Sequence, residues 1–179
     1  ASEGVNLKNG FVSISRSGSV QIINHSPDHR QRFCLGYNFV PELSTEFLGL
    51  LDKLFKGCFG DQHDHYGGLI LEIYGAAICG IATKITQPKA FILYGQSAEN
   101  GKSSIQKILR KLLPKNAHCS IPPADMDKEQ YLAKLVGKTA NLSDELSGIV
   151  AISSDKFKAV ITGDPVTAKV IYQQPVDFI

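Results

Sequence analysis

One segment constrains the fold of this chain more than any other. Residues 95–103 form a polar stretch with a glycine at position 95 and another at position 101; it follows the apolar run 90–94 and precedes the helix-like residues 103–113. A short continuous apolar run is typical of a strand buried on both faces. A glycine-containing turn between such a strand and a helix is the arrangement that binds phosphate groups. The sequence therefore predicts a strand, a phosphate-binding loop and a helix, in that order.

The residue types in this loop suit a nucleotide. Glycine lets the backbone wrap closely around an anion, and successive N–H groups and the following helix N-terminus point at the phosphate. Lys102 would contact the β- and γ-phosphates, and the Ser103 hydroxyl would bind Mg²⁺. The predicted nucleotide-binding residues are Gly95, Gln96, Ser97, Ala98, Glu99, Asn100, Gly101, Lys102, Ser103 and Ser104.

The spacing of the loop departs from the usual pattern. Five residues separate Gly95 from Gly101, one more than is common, so we expect a bulge at residues 97–99. Glu99 places a negative charge close to the triphosphate unless its side chain points outward. The alternative interpretation is a polar turn with a chance Gly-Lys-Ser sequence.

An acidic pair follows a second strand-like segment, residues 139–143. Asp144 would hold Mg²⁺ through its water shell, and Glu145 would orient and polarise the water that attacks the γ-phosphate. The alternative is the first turn of a solvated helix, where Asp and Glu are favoured. The position of the pair after a phosphate loop favours catalysis, with Lys102 and Glu145 as catalytic residues and Ser103 and Asp144 as metal ligands.

The order of three motifs resembles a known family. Asn-Gly-Lys-Ser at 100–103, Asp-Glu at 144–145 and Lys158 through Asp164 follow one another as in the superfamily 3 helicases, in particular the phage and plasmid primase-helicases. Residues 9–11, 25–29 and 37–41 are also similar to the segment that precedes the helicase core in those proteins.

The resemblance implies an α/β fold with an AAA+-type P-loop ATPase core at residues 87–179. A small α+β module, a hairpin plus two helices, would precede it at residues 1–86. The implied activity is ATP- and Mg²⁺-dependent unwinding of DNA in replication by a homo-oligomeric ring. The implied setting is the cytoplasm of a bacterial host, with the gene carried by a phage or mobile element.

The resemblance also implies a β-hairpin after Asp164 that faces a central channel for single-stranded DNA. Single-strand channels combine cationic and stacking side chains. For Tyr172, packing on the core as a strand residue is the alternative. The expected DNA-binding residues are Lys169, Tyr172, Gln173 and Gln174.

Two elements of the family pattern do not occur before Ile179: the strand ending in a γ-phosphate-sensing Asn, and the arginine finger. We therefore expect a fragment that is incomplete at its C-terminus, with little or no ATPase or helicase activity in isolation. Because the sensor strand would lie between residues 90–94 and 139–143, we expect the sheet to be rearranged, partly open or filled by another chain.

Composition excludes several classes of protein. Nineteen Lys and Arg against 17 Asp and Glu give a net charge of +2, too little for a polybasic nucleic-acid coat, although a local basic groove is compatible with it. A hydrophobic fraction of 43% excludes a disordered tail. Residues 67–82 are apolar except for Glu72 but fall short of the roughly 20 residues that span a bilayer. We expect a buried helix there and no membrane association.

Apolar periodicity and end signals predict the other elements. They are a hairpin at 11–15 and 20–23, helices at 41–60, 66–84, 127–136 and 153–161, and strands at 119–121 and 166–172. The Asp-Gln-His-Asp-His stretch at 61–65 is expected to be a polar loop rather than a metal site, since His63 and His65 would not share a helix face and no third ligand is evident.

Two other function classes stay open. A P-loop kinase acting on a small molecule would have the same loop, but its substrate lid is usually rich in arginine and this chain has four arginines. A non-catalytic DNA- or partner-binding module with a relic ATPase site would have no need of Glu145.

Overall fold

A computed structural model describes residues 4–15, 17–80, 89–95, 99–144, 154–168 and 176–178. The chain divides into two compact units. The N-terminal unit comprises Ala1–Gly80 and Leu93–Pro114, and the C-terminal unit comprises Ile81–Ile92 and Lys115–Ile179. The segment that carries the predicted phosphate loop thus clusters with the N-terminal helices. The predicted domain boundary at residue 86 stays a prediction.

The N-terminal unit begins with a three-stranded antiparallel sheet of β1 (Gly4–Leu7), β2 (Gly10–Ile14) and β3 (Val20–Ile23), in that order. Residues 11–14 of the alternating segment lie in β2 and pair with β3, so the predicted hairpin is confirmed. One face of the sheet packs on a small core of apolar side chains. They are Val5, Leu7, Val12 and Leu35.

Two helices follow, α1 (Thr45–Phe59) and α2 (His63–Cys79). The Ser44 hydroxyl accepts a hydrogen bond from the Phe47 amide and fixes the start of α1. Gly80, with φ of 64°, ends α2. The prediction of a buried helix at 66–84 is wrong for most of the surface of α2. Its buried residues are Gly67, Ile70, Tyr74 and Ala77, and the rest of the helix is exposed or half-buried.

Helix α3 (Lys102–Leu112) completes the N-terminal unit and confirms the helix predicted at 103–113. Ile105 and Leu109 are its buried residues. The strand predicted at 90–94 is wrong, because residues 89–95 have no regular structure and Ile92 and Tyr94 are 54% and 83% exposed. A buried strand needs neighbours that pair with its N–H and C=O groups, and no strand among the described residues pairs with this segment.

The C-terminal unit contains a parallel pair, β4 (His118–Cys119) and β5 (Ala140–Asn141). Both are shorter than the predicted strands, although the Leu142 amide donates to the Cys119 carbonyl at 2.8 Å and extends the pairing. Parallel strands require a long connection that usually holds a helix. Here it holds α4 (Glu129–Leu132), shorter than the helix predicted at 127–136 because Ala133–Leu135 continue as a 3₁₀ turn.

Helix α5 (Asp155–Thr162) begins at a Ser154 cap and ends at Gly163 with φ of 72°, which confirms the predicted helix. Strand β6 (Val166–Ala168) then pairs antiparallel with β7 (Val176–Phe178). The buried core of this unit is formed by apolar side chains from α4, from β6 and from the segment between β4 and α4. They are Ile121, Met126, Leu132, Val166 and Ala168.

Within the described ranges, no helix combines the length and the apolar character that crossing a membrane requires. The chain has mixed α and β structure with small sheets. An AAA+-type ATPase core stays a prediction.

Candidate phosphate-binding site

The start of α3 is the centre of the candidate site. Gly101 caps the helix with φ of 81°, and the first helical bond runs from the Ile105 amide to the Gly101 carbonyl at 3.0 Å. The cap residue is a glycine and so provides no side-chain hydrogen bond of its own, and the first turn of α3 contains no acidic residue. The N-terminus of a helix carries partial positive charge and presents backbone N–H groups, so this end is suited to an anion.

Asn100 and Lys102 turn back toward the beginning of the loop. The Lys102 ammonium donates to Asn100 Oδ1 at 2.5 Å. A Cβ atom added to Gly95 would overlap the Asn100 side chain and would lie 2.9 Å from Lys102 Nζ. A side chain at position 95 would therefore displace the ends of the Asn100 and Lys102 side chains. The loop brings its cationic side chain to its own entrance.

The extra residue of the loop is accompanied by an unusual backbone angle. Glu99 has φ of 59°, in the left-handed region that costs a non-glycine residue roughly 1–2 kcal/mol. Its side chain is exposed, so its charge can be solvated. Ser103 and Ser104 are also exposed in the first turn of α3. Gln96, Ser97 and Ala98 lie outside the described residues.

The N-terminal helices support the start of α3. The Tyr74 hydroxyl of α2 donates to the Ile105 carbonyl at 2.5 Å. Cys58 of α1 lies against Gly101, where an added Cβ would meet Cys58 Sγ at less than 3.0 Å. Burial raises the pKa of Tyr74 to about 12, with the Cys58 charge as the second cause. Burial also raises the pKa of the Cys58 thiol. Sequence reasoning missed both residues, since contacts between distant segments leave no local signal.

The C-terminal unit contains Asp144, which is exposed and follows β5. Asn141 is a polar residue within β5, and its side chain bonds to the backbone of Ile121. Its Nδ2 donates to the Ile121 carbonyl at 2.9 Å, and its Oδ1 accepts from the Ile121 amide at 2.7 Å. The side chain thus replaces a neighbouring strand for Ile121. Glu145 lies outside the described residues.

The third motif closes α5. The Asp164 amide donates to the Ala159 carbonyl at 2.9 Å, and the Thr162 hydroxyl bonds the Asp164 carboxylate. Lys158 lies on the exposed side of α5, 3.7 Å from the Asp155 carboxylate. In the described structure this motif is therefore a helix end.

The predicted DNA-contacting residues connect β6 to β7, whose antiparallel pairing agrees with the hairpin expected there. They lie outside the described residues. They are Lys169, Tyr172, Gln173 and Gln174.

The histidine-containing segment is not the predicted loop, since Gly60–Gln62 form a 3₁₀ turn and α2 begins at His63. Asp52 of α1 lies close to His63 and Asp64 and is the third possible ligand that the sequence did not reveal. His63 Nε2 lies 3.6 Å from Asp52 Oδ1 and 3.4 Å from Asp64 Oδ1. Asp52 also pairs with Lys56 at 2.7 Å, and the Asp64 side chain is 95% exposed. Asp52 thus already has a partner and Asp64 is open to solvent, so we assign no metal to this cluster.

Residues 93–179 match a family of unknown function, DUF5906. The matched region, just under half of the chain, begins before Gly95 and contains the loop, the acidic pair and the Lys158–Asp164 stretch. The similarity therefore takes in all three motifs and leaves out α1 and α2. No curated protein matches the chain.

Proposed function

We propose that this chain is part of an ATP-dependent DNA helicase of the phage or plasmid primase-helicase type, with ATP phosphates bound at residues 95–104. One observation carries the proposal: α3 starts directly after a positive-φ glycine, its first turn has no acidic residue, and the ammonium of its first residue, Lys102, lies close to Gly95 at the start of the loop. Partial positive charge at a helix N-terminus and a nearby ammonium group both favour an anion. A polyphosphate is the anion that we propose.

The other roles follow from the chemistry of phosphoryl transfer, in which positioning and charge neutralisation dominate. Lys102 would stabilise the charge of the β- and γ-phosphates, and the exposed Ser103 hydroxyl would join Asp144 in holding Mg²⁺. Glu145 would orient the attacking water. Lys169 and Tyr172 would contact single-stranded DNA in the channel of a homo-oligomeric ring in the bacterial cytoplasm.

Nucleotide binding with and without Mg²⁺ tests the proposed roles of the acidic pair. Asp144→Asn should weaken Mg²⁺-dependent ATP binding, whereas Glu145→Gln should bind ATP as the wild type does and should stop turnover in the full-length protein. Asp127→Asn is the matched control, since Asp127 is an exposed aspartate elsewhere in the same unit. An equal Mg²⁺ dependence in Asp144→Asn and Asp127→Asn would remove Asp144 from the metal site.

DNA binding tests the helicase assignment against a small-molecule kinase. Fluorescence anisotropy with a labelled oligodeoxythymidylate should give saturable binding that weakens with salt, as phosphate contacts require. Lys169→Ala and Tyr172→Ala should each weaken it, and Lys134→Ala serves as the control. If the oligonucleotide does not bind while ATP does, the kinase alternative is favoured.

A further inference from the structure

We infer that Tyr74 and Cys58 are positioning residues for the phosphate loop. Through them, α1 and α2 hold the loop and the first turn of α3 in the conformation that binds the nucleotide. The inference rests on the proposed function for its ligand, and it makes ATP affinity depend on residues that precede the loop by more than 20 positions. Both residues also lie outside the region that matches DUF5906.

Tyr74 is connected to the loop through two hydrogen bonds. Its side chain is 5% exposed, and its hydroxyl donates to the Ile105 carbonyl. The Ile105 amide in turn donates to the Gly101 carbonyl. The hydroxyl therefore restrains the first turn of α3, whose N–H groups would face the phosphates. A phenylalanine would fill the same space without that restraint.

Cys58 acts on the loop by contact. Its sulfur occupies the space where a side chain at Gly101 would project. Three residues earlier on α1, Phe55 packs on α2 so closely that a Cβ at Gly67 would lie 2.5 Å from Phe55 Cδ2. Close-packed contacts of this kind transmit displacements because they leave little free volume. A larger side chain at position 58 that projects as the sulfur does would press on the loop glycine.

A purely structural role for these residues makes a different prediction. Loss of the Tyr74 hydroxyl would then lower the unfolding midpoint and leave ligand affinity unchanged at temperatures where the variant is fully folded. Affinity measured well below the midpoint therefore separates positioning from packing.

The first experiment compares Tyr74→Phe with Tyr66→Phe, the same change at an exposed position of α2. The affinities for ATP and for inorganic tripolyphosphate are measured by calorimetry on the full chain at a temperature where both variants are folded. We expect both affinities to fall about fivefold in Tyr74→Phe, the effect of one hydrogen bond, and to stay within about twofold of the wild type in Tyr66→Phe. Equal affinities in the two variants would overturn the role of Tyr74.

The second experiment varies the size of the side chain at position 58. Cys58→Ser keeps the volume and should keep ATP affinity, whereas Cys58→Leu should lower it at least about tenfold by displacing Gly101. Cys34→Leu is the control, because Cys34 is an exposed cysteine. Equal ATP affinity in the folded Cys58→Leu and Cys34→Leu variants would overturn the role of Cys58.

A third measurement needs no nucleotide and so separates this inference from the proposed function. Amide hydrogen exchange at Ile105–Leu109 should be faster in Tyr74→Phe than in Tyr66→Phe, while exchange in the β1–β3 sheet stays equal. If the wild type binds neither ATP nor tripolyphosphate, the proposed function fails and faster exchange would still support the restraint of α3 by α2. Equal exchange at Ile105–Leu109 would overturn the inference whatever the chain binds.

Discussion

Replacing Gly101 by alanine should be among the most damaging single changes in the N-terminal unit. Two penalties combine at this position. A φ of 81° costs an L-residue about 1–2 kcal/mol, and forcing a Cβ against Cys58 Sγ costs a further 1–3 kcal/mol or so. We expect Gly101→Ala to lower the free energy of unfolding by about 2–5 kcal/mol, the sum of these two terms, as measured by denaturant titration with circular dichroism.

Two control variants separate the penalties. Gly18 has the same φ of 81° with nothing within 4 Å of an added Cβ, so Gly18→Ala measures the backbone penalty of about 1–2 kcal/mol alone. In a Cys58→Ala background the sulfur is gone and the remaining Cβ lies 3.6 Å away, an ordinary contact. There, Gly101→Ala should cost no more than Gly18→Ala. Two results would refute a steric penalty at Gly101: a cost of Gly101→Ala in the wild-type background no greater than that of Gly18→Ala, or a cost that removal of the sulfur leaves unchanged.

Three further outcomes follow from the same structure. Asn141→Ala should destabilise the C-terminal unit by about 2–4 kcal/mol, because the backbone amide and carbonyl of the 2%-exposed Ile121 lose their partners, while Asn116→Ala should change the unfolding free energy little. The raised pKa of Tyr74 means that the folded state holds the hydroxyl proton more tightly than the unfolded state does. The stability that this contributes is fully present below the ordinary pKa of 10.0 and is lost as the pH rises toward about 12. Across that pH range, denaturant titrations should show a smaller fall in the free energy of unfolding for Tyr74→Phe than for Tyr66→Phe, and equal falls would contradict this. Ser154→Ala should cost about 1 kcal/mol by removing the cap of α5, which a matched Ser120→Ala change should not.

Local signals predicted the elements whose ends the sequence itself determines. Ser154 and Gly163 bracket α5, and residues 11–14 of the alternating segment lie in β2 as expected, because caps and two-residue periodicity act within a few residues. The helix after the phosphate loop was also predicted within one residue at each end.

Features that depend on distant partners could not be predicted in the same way. The apolar residues 90–94 indicate a strand only if other strands pair with them, and apolar character alone does not supply a partner. Asn141 weakens the apolar pattern of β5, yet its side chain satisfies the Ile121 backbone 20 residues away. The support of α3 by Tyr74 and Cys58 likewise required the packing of α1 and α2 to be known.

Binding of a nucleoside triphosphate at residues 95–104 is the central feature of the proposed function. Calorimetric titration of the 179-residue chain with ATP and Mg²⁺ tests it most directly, beside Lys102→Ala and, as the control on the exposed side of the same helix, Lys107→Ala. We predict one saturable site in the wild type and in Lys107→Ala, and an affinity about 10- to 100-fold lower in Lys102→Ala, the effect of losing charge-assisted bonds to phosphate. Undetectable binding by the wild type, or equal affinity in the two lysine variants, would contradict the proposed function.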